Sequence, residues 1–442
     1  MKARAPVDLL IAGARLATPR GVVRASLSID RGRIVKVGKP GAMPRASETI
    51  NLPSSSLVLP APVDVHAHLR DLELSHKGDF ASETQAAAVG GISFVVDMPN
   101  SRPPTLTASA FDAKKQRMPG RIAVDLGLNL GVQGNDEELE KVKDNIAYGE
   151  IFVGPSTEGT LVGYGELEAA LKIIARTGKV VCIHAEDPAL FRDQSAGKYD
   201  HGSARPAEAE EEAVSRVLRL NEGIGARLHF CHVSTRRSLR DIAAYKSRKM
   251  SVTCEVTPHH LILSSQTYED LGTPAKMNPP LREPGDVEGV LEGVRSGVVD
   301  VIASDHAPHA LEEKSLGEPD APAGVPGFET LVPAVLTHFE RSGLSPSTFV
   351  RLTSLAPAYV FNVPGKGFGI GRDADLVVVD RKRSKVDPDS FLSKAKYSPF
   401  AGMSLRFWPR MTILRGIVIA DGGEVVIKDR GRFLSPAGEY DG

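Results

Sequence analysis

The chain has 442 residues, 41% of them hydrophobic, enough for a large core and for more than one domain. Its 54 Lys plus Arg balance 55 Asp plus Glu, leaving a net charge of −1 and no electrostatic basis for a nucleic-acid or anionic-membrane partner. No apolar run approaches the roughly 20 residues of a membrane span, and the opening Met1-Lys-Ala-Arg-Ala-Pro-Val-Asp lacks the apolar centre of a secretion signal, so a cytoplasmic location is expected.

Residues 8–50 read as short strands, Leu9–Ala12, Ala14–Ala17, Ser26–Asp30 and Arg33–Gly38, separated by turn signals at Gly13, Pro19-Arg-Gly and Asp30-Arg-Gly. Four further strand-like runs between Ala374 and Lys428 have the same character. The two ends are therefore expected to meet in a small discontinuous β-sandwich, residues 1–55 and 366–442. Residues 56–365 alternate apolar strand-like runs with helix-like stretches such as Phe80–Val89, Leu167–Thr177, Ala207–Asn221, Arg237–Lys246 and Asp286–Arg295. Candidate strands lead to His66 and His68, to Asp97–Asn100, to Asn129, through Glu150, to His184, to His232, through Val252–Val256 and to Asp305. Eight such units predict an α/β fold, a (β/α)8 TIM barrel, since a doubly wound sheet would call for a glycine-rich phosphate turn that is absent. Cys182, Cys231 and Cys254 lie in apolar runs without metal-type spacing and read as buried reduced thiols.

His66 and His68 share one face of a strand, and two imidazoles one pleat apart can hold a divalent ion. An H-x-H pair alone is as often merely packed, so the weight falls on later strand ends. His184, His232 and Asp305 arrive there, and in a barrel all five converge on one mouth. They exceed the three protein ligands of one catalytic zinc, which favours two zinc ions, with one as the alternative. Glu150 is the candidate bridge, although a glutamate entering an apolar strand can also be a solvated strand end. Metal-held water would ionise near pH 7, and Asp305 could carry its proton to a leaving nitrogen. Arg70, Asn100 and His309 could together hold a substrate carboxylate. Asn278 and Arg282 could close over the ligand, although a surface role fits Arg282 at least as well. His306, His259 and His260 read as structural or functional alike, and His229 and His76 as incidental.

The runs Asp64-Val-His-Ala-His-Leu-Arg-Asp71, Val95-Val-Asp-Met-Pro-Asn100, Cys182-Ile-His-Ala-Glu186, Glu255-Val-Thr-Pro-His-His-Leu261, Asn278-Pro-Pro-Leu-Arg282 and Ala303-Ser-Asp-His-Ala-Pro-His309 resemble the dihydroorotases of the amidohydrolase superfamily. The tail Gly367–Asp380 resembles that superfamily's return into its β-sandwich. The resemblance implies reversible cyclisation of N-carbamoyl-L-aspartate to L-dihydroorotate, a step of pyrimidine biosynthesis. It implies metal ligands at His66, His68, His184, His232 and Asp305, with Asp305 also the acid/base. It places the substrate carboxylate on Arg70, Asn100 and His309, with Asn278 and the backbone near Ala323 and Gly324 holding the ring.

One departure stands out. Many members carry a carboxylated lysine where this chain has Glu150, and its carboxylate extends further from the backbone. Glu150 could bridge only if the strand or the ions shift inward. The alternatives are a hydantoinase- or allantoinase-like cyclic-amide hydrolase, or a non-catalytic partner protein that kept the fold. A homodimer is expected on base rates.

Overall fold

The computed structural model describes residues 5–134, 136–153, 162–193 and 199–436. Alternating apolar residues build β1 (Val7–Thr18), which pairs antiparallel with β2 (Gly21–Asp30), and β2 in turn pairs with β3 (Arg33–Gly38). Gly13 was expected to break the first run. Instead it takes φ +67° and donates its N–H to Ser26 Oγ at 3.1 Å, so β1 continues through a bulge. β4 (Ala46–Asn51) and β5 (Leu57–Pro60) both lie parallel to β1.

The chain then enters eight parallel strands: β6 (Val63–Ala67), β7 (Phe94–Asp97), β8 (Asp125–Leu128), β9 (Tyr148–Phe152), β10 (Val180–His184), β11 (Arg227–Phe230), β12 (Val252–Val256) and β13 (Val301–Ile302). They form two arcs, β6 to β8 and β9 to β13, joined by parallel bridges between Leu130 and Tyr148 and between Ala67 and His306. The result is a (β/α)8 barrel. Val63, Val65, Phe94, Val96, Val180, Cys182 and Val301, drawn from around the ring, fill its inside. Val95, Leu126, Ile183 and Phe230 pack outward against helix residues such as Leu167, Val214 and Leu331. Burial on both faces explains why these strands read as continuous apolar runs.

β14 (Leu376–Lys385), β15 (Ser404–Leu414), β16 (Ile417–Asp421) and β17 (Glu424–Val425) return to the first unit. One nine-stranded sheet results, with β5 seated between β1 and β14, so the two ends of the chain meet there. Leu57–Pro60 thus belongs to this terminal sheet and leads directly into β6. Between β14 and β15 the chain reaches the barrel mouth, where Tyr397 Oη donates to Gly324 O at 3.0 Å. All three cysteines are buried free thiols, as expected. No described helix is long and apolar enough to cross a membrane.

A buried ion cluster ties the foot of the barrel to the terminal sheet. Asp125, the first residue of β8, accepts from Lys366 Nζ at 2.5 Å and from Arg415 Nη1 at 2.6 Å, and Lys366 also pairs with Asp375. Burial opposes ionisation of Asp125, but the two cations hold its pKa below the usual carboxylate value. Removing one member of a buried pair strands the other charge. Asp125→Ala should therefore lose about 3 kcal/mol, read as a lower denaturation midpoint at fixed metal content. A carboxylate with a depressed pKa stabilises above the ordinary range and loses that contribution as pH falls through its folded value. The gap between wild type and variant should accordingly narrow on acidification.

Candidate metal centre

β6 delivers His66 and His68 to the C-terminal mouth, β10 ends on His184, His232 follows β11, and Asp305 follows β13. Glu150 lies in the middle of β9, where one extra residue against β10 makes a bulge between Tyr148 and Ile151. Gly149 makes the bulge feasible: its φ is +97°, and an added Cβ would strike Cys182 O of β10 and come within 2.7 Å of Ile151 N. The bulge turns Glu150 into the mouth.

There the glutamate stands among four imidazoles. Its Oε1 is 3.0 Å from His184 Nδ1 and 2.9 Å from His232 Nε2. Its Oε2 is 3.5 Å from His66 Nε2 and 3.7 Å from His68 Nε2. Asp305 Oδ1 closes the cluster at 3.1 Å from His68 Nε2 and 3.5 Å from His66 Nε2. Two groups of ligand atoms, His66–His68–Glu150 and Glu150–His184–His232, each fall within 4.8 Å, and Glu150 is common to both. The bulge thus leaves Glu150 in direct contact with the imidazoles of His184 and His232.

The outward nitrogens show what the inward ones lack. His66 Nδ1 is held by Glu255, and His68 Nδ1 lies 2.6 Å from Asn100 Oδ1. With those nitrogens donating, a neutral ring would turn its Nε2 lone pair toward the Glu150 and Asp305 carboxylates. Such an arrangement repels unless a cation lies between. His66 Nε2 and Glu150 Oε2 are both buried without a hydrogen-bond partner among the described residues. Burial resists charging of His66, yet Glu255, Glu150 and Asp305 hold its pKa well above the ordinary histidine value. The same imidazoles hold Glu150 well below the usual carboxylate range despite its burial. The donor set is built for a cation, and a metal ion can take the place of those protons.

A supporting shell keeps the rings in place. Glu255 also accepts from His229 Nε2 at 3.1 Å. Glu186 holds His184 Nε2 at 2.8 Å and is paired with Arg205 at 2.6 Å. His229 is therefore part of the support, not incidental. Arg282, for which a surface role fitted equally well, is buried and donates to Ser234 Oγ at 3.0 Å and Arg205 O at 2.7 Å. His306 is structural: its Nε2 donates to Glu83 at 2.8 Å and its ring stacks on Phe328. His260 bonds Thr257 Oγ1 and Pro279 O, both at 2.9 Å, whereas His259 Nε2 is buried without a hydrogen-bond partner among the described residues. His76 is half exposed.

Beside the imidazoles lies a basic end. Arg70 Nε donates to Pro308 O at 3.1 Å, and its Nη2 lies 3.2 Å from His309 Nε2, which faces Ala323 O at 3.1 Å. Arg70, Asp71 and Leu72 all have φ near +50 to +64°, a left-handed turn anchored by Asp71 on Arg117 and Arg121. An adjoining cavity of about 490 Å³ is lined by Lys77, Arg102, Arg205, Lys276, Asn278 and Ala323, among others. Asn278 Oδ1 sits 2.9 Å from His201 Nε2 in its wall. Asn100, expected on a substrate carboxylate, has its amide oxygen 2.6 Å from His68 Nδ1. Glu255, Glu186 and Lys77 escaped the sequence reading; the one available signal was that a charged residue inside an apolar strand, such as Glu255, needs a buried partner.

The amidohydrolase family model matches residues 57–419, from β5 to β16. A dihydroorotase of Methanosarcina acetivorans is 37% identical, covering 98% of this chain and 96% of its own length. An L-hydantoinase of Paenarthrobacter aurescens is 33% identical, covering 97% and 98% respectively. Among solved structures, the L-hydantoinase (dihydropyrimidinase) from Arthrobacter aurescens superimposes with a TM-score of 0.93 at 32% identity, covering 97% of this chain and 100% of that one. Sequence and architecture agree along nearly the whole length: the chain belongs to the amidohydrolase family and is a metal-dependent cyclic amidohydrolase.

Proposed function

We propose that the enzyme is a dihydroorotase, interconverting L-dihydroorotate and N-carbamoyl-L-aspartate in pyrimidine biosynthesis. The observation that carries this reading is the buried guanidinium of Arg70 beside His309, two residues past His68 and against the segment that follows Asp305. Dihydroorotate offers that guanidinium a carboxylate, a bidentate partner that a neutral hydantoin ring does not have. The similarity to hydantoinases supports the second reading, a neutral cyclic-amide substrate. Three buried free thiols suit the reducing cytoplasm.

We assign the metal as zinc: His66, His68, Glu150, His184, His232 and Asp305 would hold two ions. Bound there, the ions would lower the pKa of water to near 7 and polarise the scissile carbonyl. Asp305 is kept ionised by His66, His68 and His232 in spite of burial, so it is a carboxylate ready to accept a proton. In the hydrolytic direction it passes that proton to the departing amide nitrogen, and in cyclisation it removes it. Arg70 fixes the substrate carboxylate, with Asn278 and the Ala323–Gly324 backbone along the ring. Glu255 and Asn100 hold the rings of His66 and His68 with Nε2 inward.

A substrate panel decides between the two readings. Wild-type kcat/KM for dihydroorotate should exceed that for hydantoin and dihydrouracil, and Arg70→Met should cut it by about 100-fold while sparing neutral rings. A wild type that prefers hydantoin would reverse the assignment. Metal analysis tests the bridge: two zinc ions per chain should fall to one or none in Glu150→Ala, and an unchanged count removes Glu150 from the centre. Asp305→Asn should lower kcat by at least about 10³-fold, with circular dichroism unchanged; residual turnover near wild type would exclude Asp305 as the proton carrier.

A further inference from the structure

The basic end of the site contains a lysine with no role so far. Lys77 lies just past the left-handed turn at Arg70–Leu72, and its side chain is 10% exposed. Its Nζ is 3.2 Å from His309 Nδ1 and 3.2 Å from Glu313 Oε1. An ammonium has three hydrogens and no lone pair, so it can only donate. Ala323 O lies 3.1 Å from His309 Nε2, whereas the acceptor nearest Nδ1, Glu313 Oε2, is 3.7 Å away, so the nearer acceptor places the ring proton on Nε2 and leaves the Nδ1 lone pair to the lysine. The Arg70 guanidinium is also donor-only, and its Nη2 is 3.2 Å from that same Nε2, so two N–H groups face one space, a contact that an anion between them would relieve.

We propose that Lys77 is a positioning residue that locks His309 in its Nε2–H form, so that an incoming carboxylate meets two donors, Arg70 and His309. The proposal rests on the reading of the substrate as an anionic cyclic amide. Among the described residues around the ring, Glu313 is the group that pulls the other way. Tyr397 Oη receives the His309 backbone N–H at 3.2 Å, and Glu313 Oε2 is 3.7 Å from Nδ1 while accepting the Ala310 N–H at 3.0 Å. Lys314 holds Gly324 O at 3.1 Å on the far side of the loop. Burial, with Arg70, Lys77 and Lys314 opposing Glu313, pushes the His309 pKa down to about 3, so the ring is neutral and its tautomer is the open variable. Without the lysine, Glu313 draws the proton to Nδ1. Nε2 then turns a lone pair toward the substrate carboxylate, and an attractive contact becomes a repulsive one.

The test uses full-length, zinc-loaded wild type, Lys77→Met and Lys77→Gln. Side-chain ¹⁵N spectra of histidine-labelled protein, with His309→Gln to assign the signal, report which nitrogen carries the proton. The wild type should be protonated at Nε2 and Lys77→Met at Nδ1. KM for dihydroorotate should rise by about 10- to 100-fold in Lys77→Met, with kcat within about threefold and zinc content unchanged. Lys77→Gln, whose amide can still donate to Nδ1, should recover most of the loss. A wild-type ring protonated at Nδ1, an unchanged KM in Lys77→Met, or a higher KM without a change of tautomer would each overturn the proposal. If the wild type does not turn over dihydroorotate, the functional reading falls, and the nitrogen signals alone decide the action of Lys77 on His309.

Discussion

Glu150 puts a carboxylate among four imidazoles at a barrel mouth that is almost closed to solvent. A lone buried carboxylate is strongly disfavoured, because the surroundings cannot replace the hydration it gives up. Its presence commits the neighbourhood to supplying positive charge, and the structure answers in layers. The imidazoles face it directly, and Glu255, Glu186 and Asn100 hold the far nitrogens of His66, His184 and His68. Those acids need partners in turn, found in His229 and Arg205. A chain of alternating charge thus runs outward from one residue on β9. The bulge at Gly149 is where that chain begins, since a regular strand would not carry the side chain to the same place.

The site is divided between two charge requirements. Its inner half gathers carboxylates and imidazole lone pairs and calls for a cation. Its outer half gathers Arg70, Lys77, Arg102 and Lys276, with Lys77 paired to Glu313 and Lys276 to Glu318. The proposed substrate would lie across that division, its carboxylate outside and its scissile bond inward. The terminal sheet takes part as well: Tyr397, between β14 and β15, bonds both the His309 backbone and Gly324. The Asp125–Lys366–Arg415 cluster ties the same sheet to the opposite end of the barrel. Docking of the two units therefore shapes the basic end of the site and does more than cover an apolar face.

Much of this is legible in the residues alone. Strand identity survives because buried parallel strands are continuous apolar runs, and the residues that interrupt them at their ends, His66, His68, His184, His232 and Asp305, are polar where a core would not be. The (β/α)8 reading follows from that local pattern. Gly13 shows where local information ends, because a glycine between two apolar runs can break a strand or bulge it, and only Ser26 on the neighbouring strand selects the bulge. Leu57–Pro60 has the same ambiguity: four apolar residues suit either unit, and pairing with β1 and β14 assigns them to the terminal sheet.

The amino-acid order by itself determined which chemical groups are available: four imidazoles, two acids, an arginine and the strand periodicity that sends them to one rim. Tertiary structure alone decided what each group faces. It set Asn100 against His68, buried Arg282 between Ser234 and Arg205, drew His229 behind Glu255 and brought Lys77 onto His309. The physical reason is that periodicity is a property of neighbouring residues in the chain, whereas the protonation and hydrogen bonding of a buried polar group depend on partners that are remote in sequence and meet only in the folded barrel.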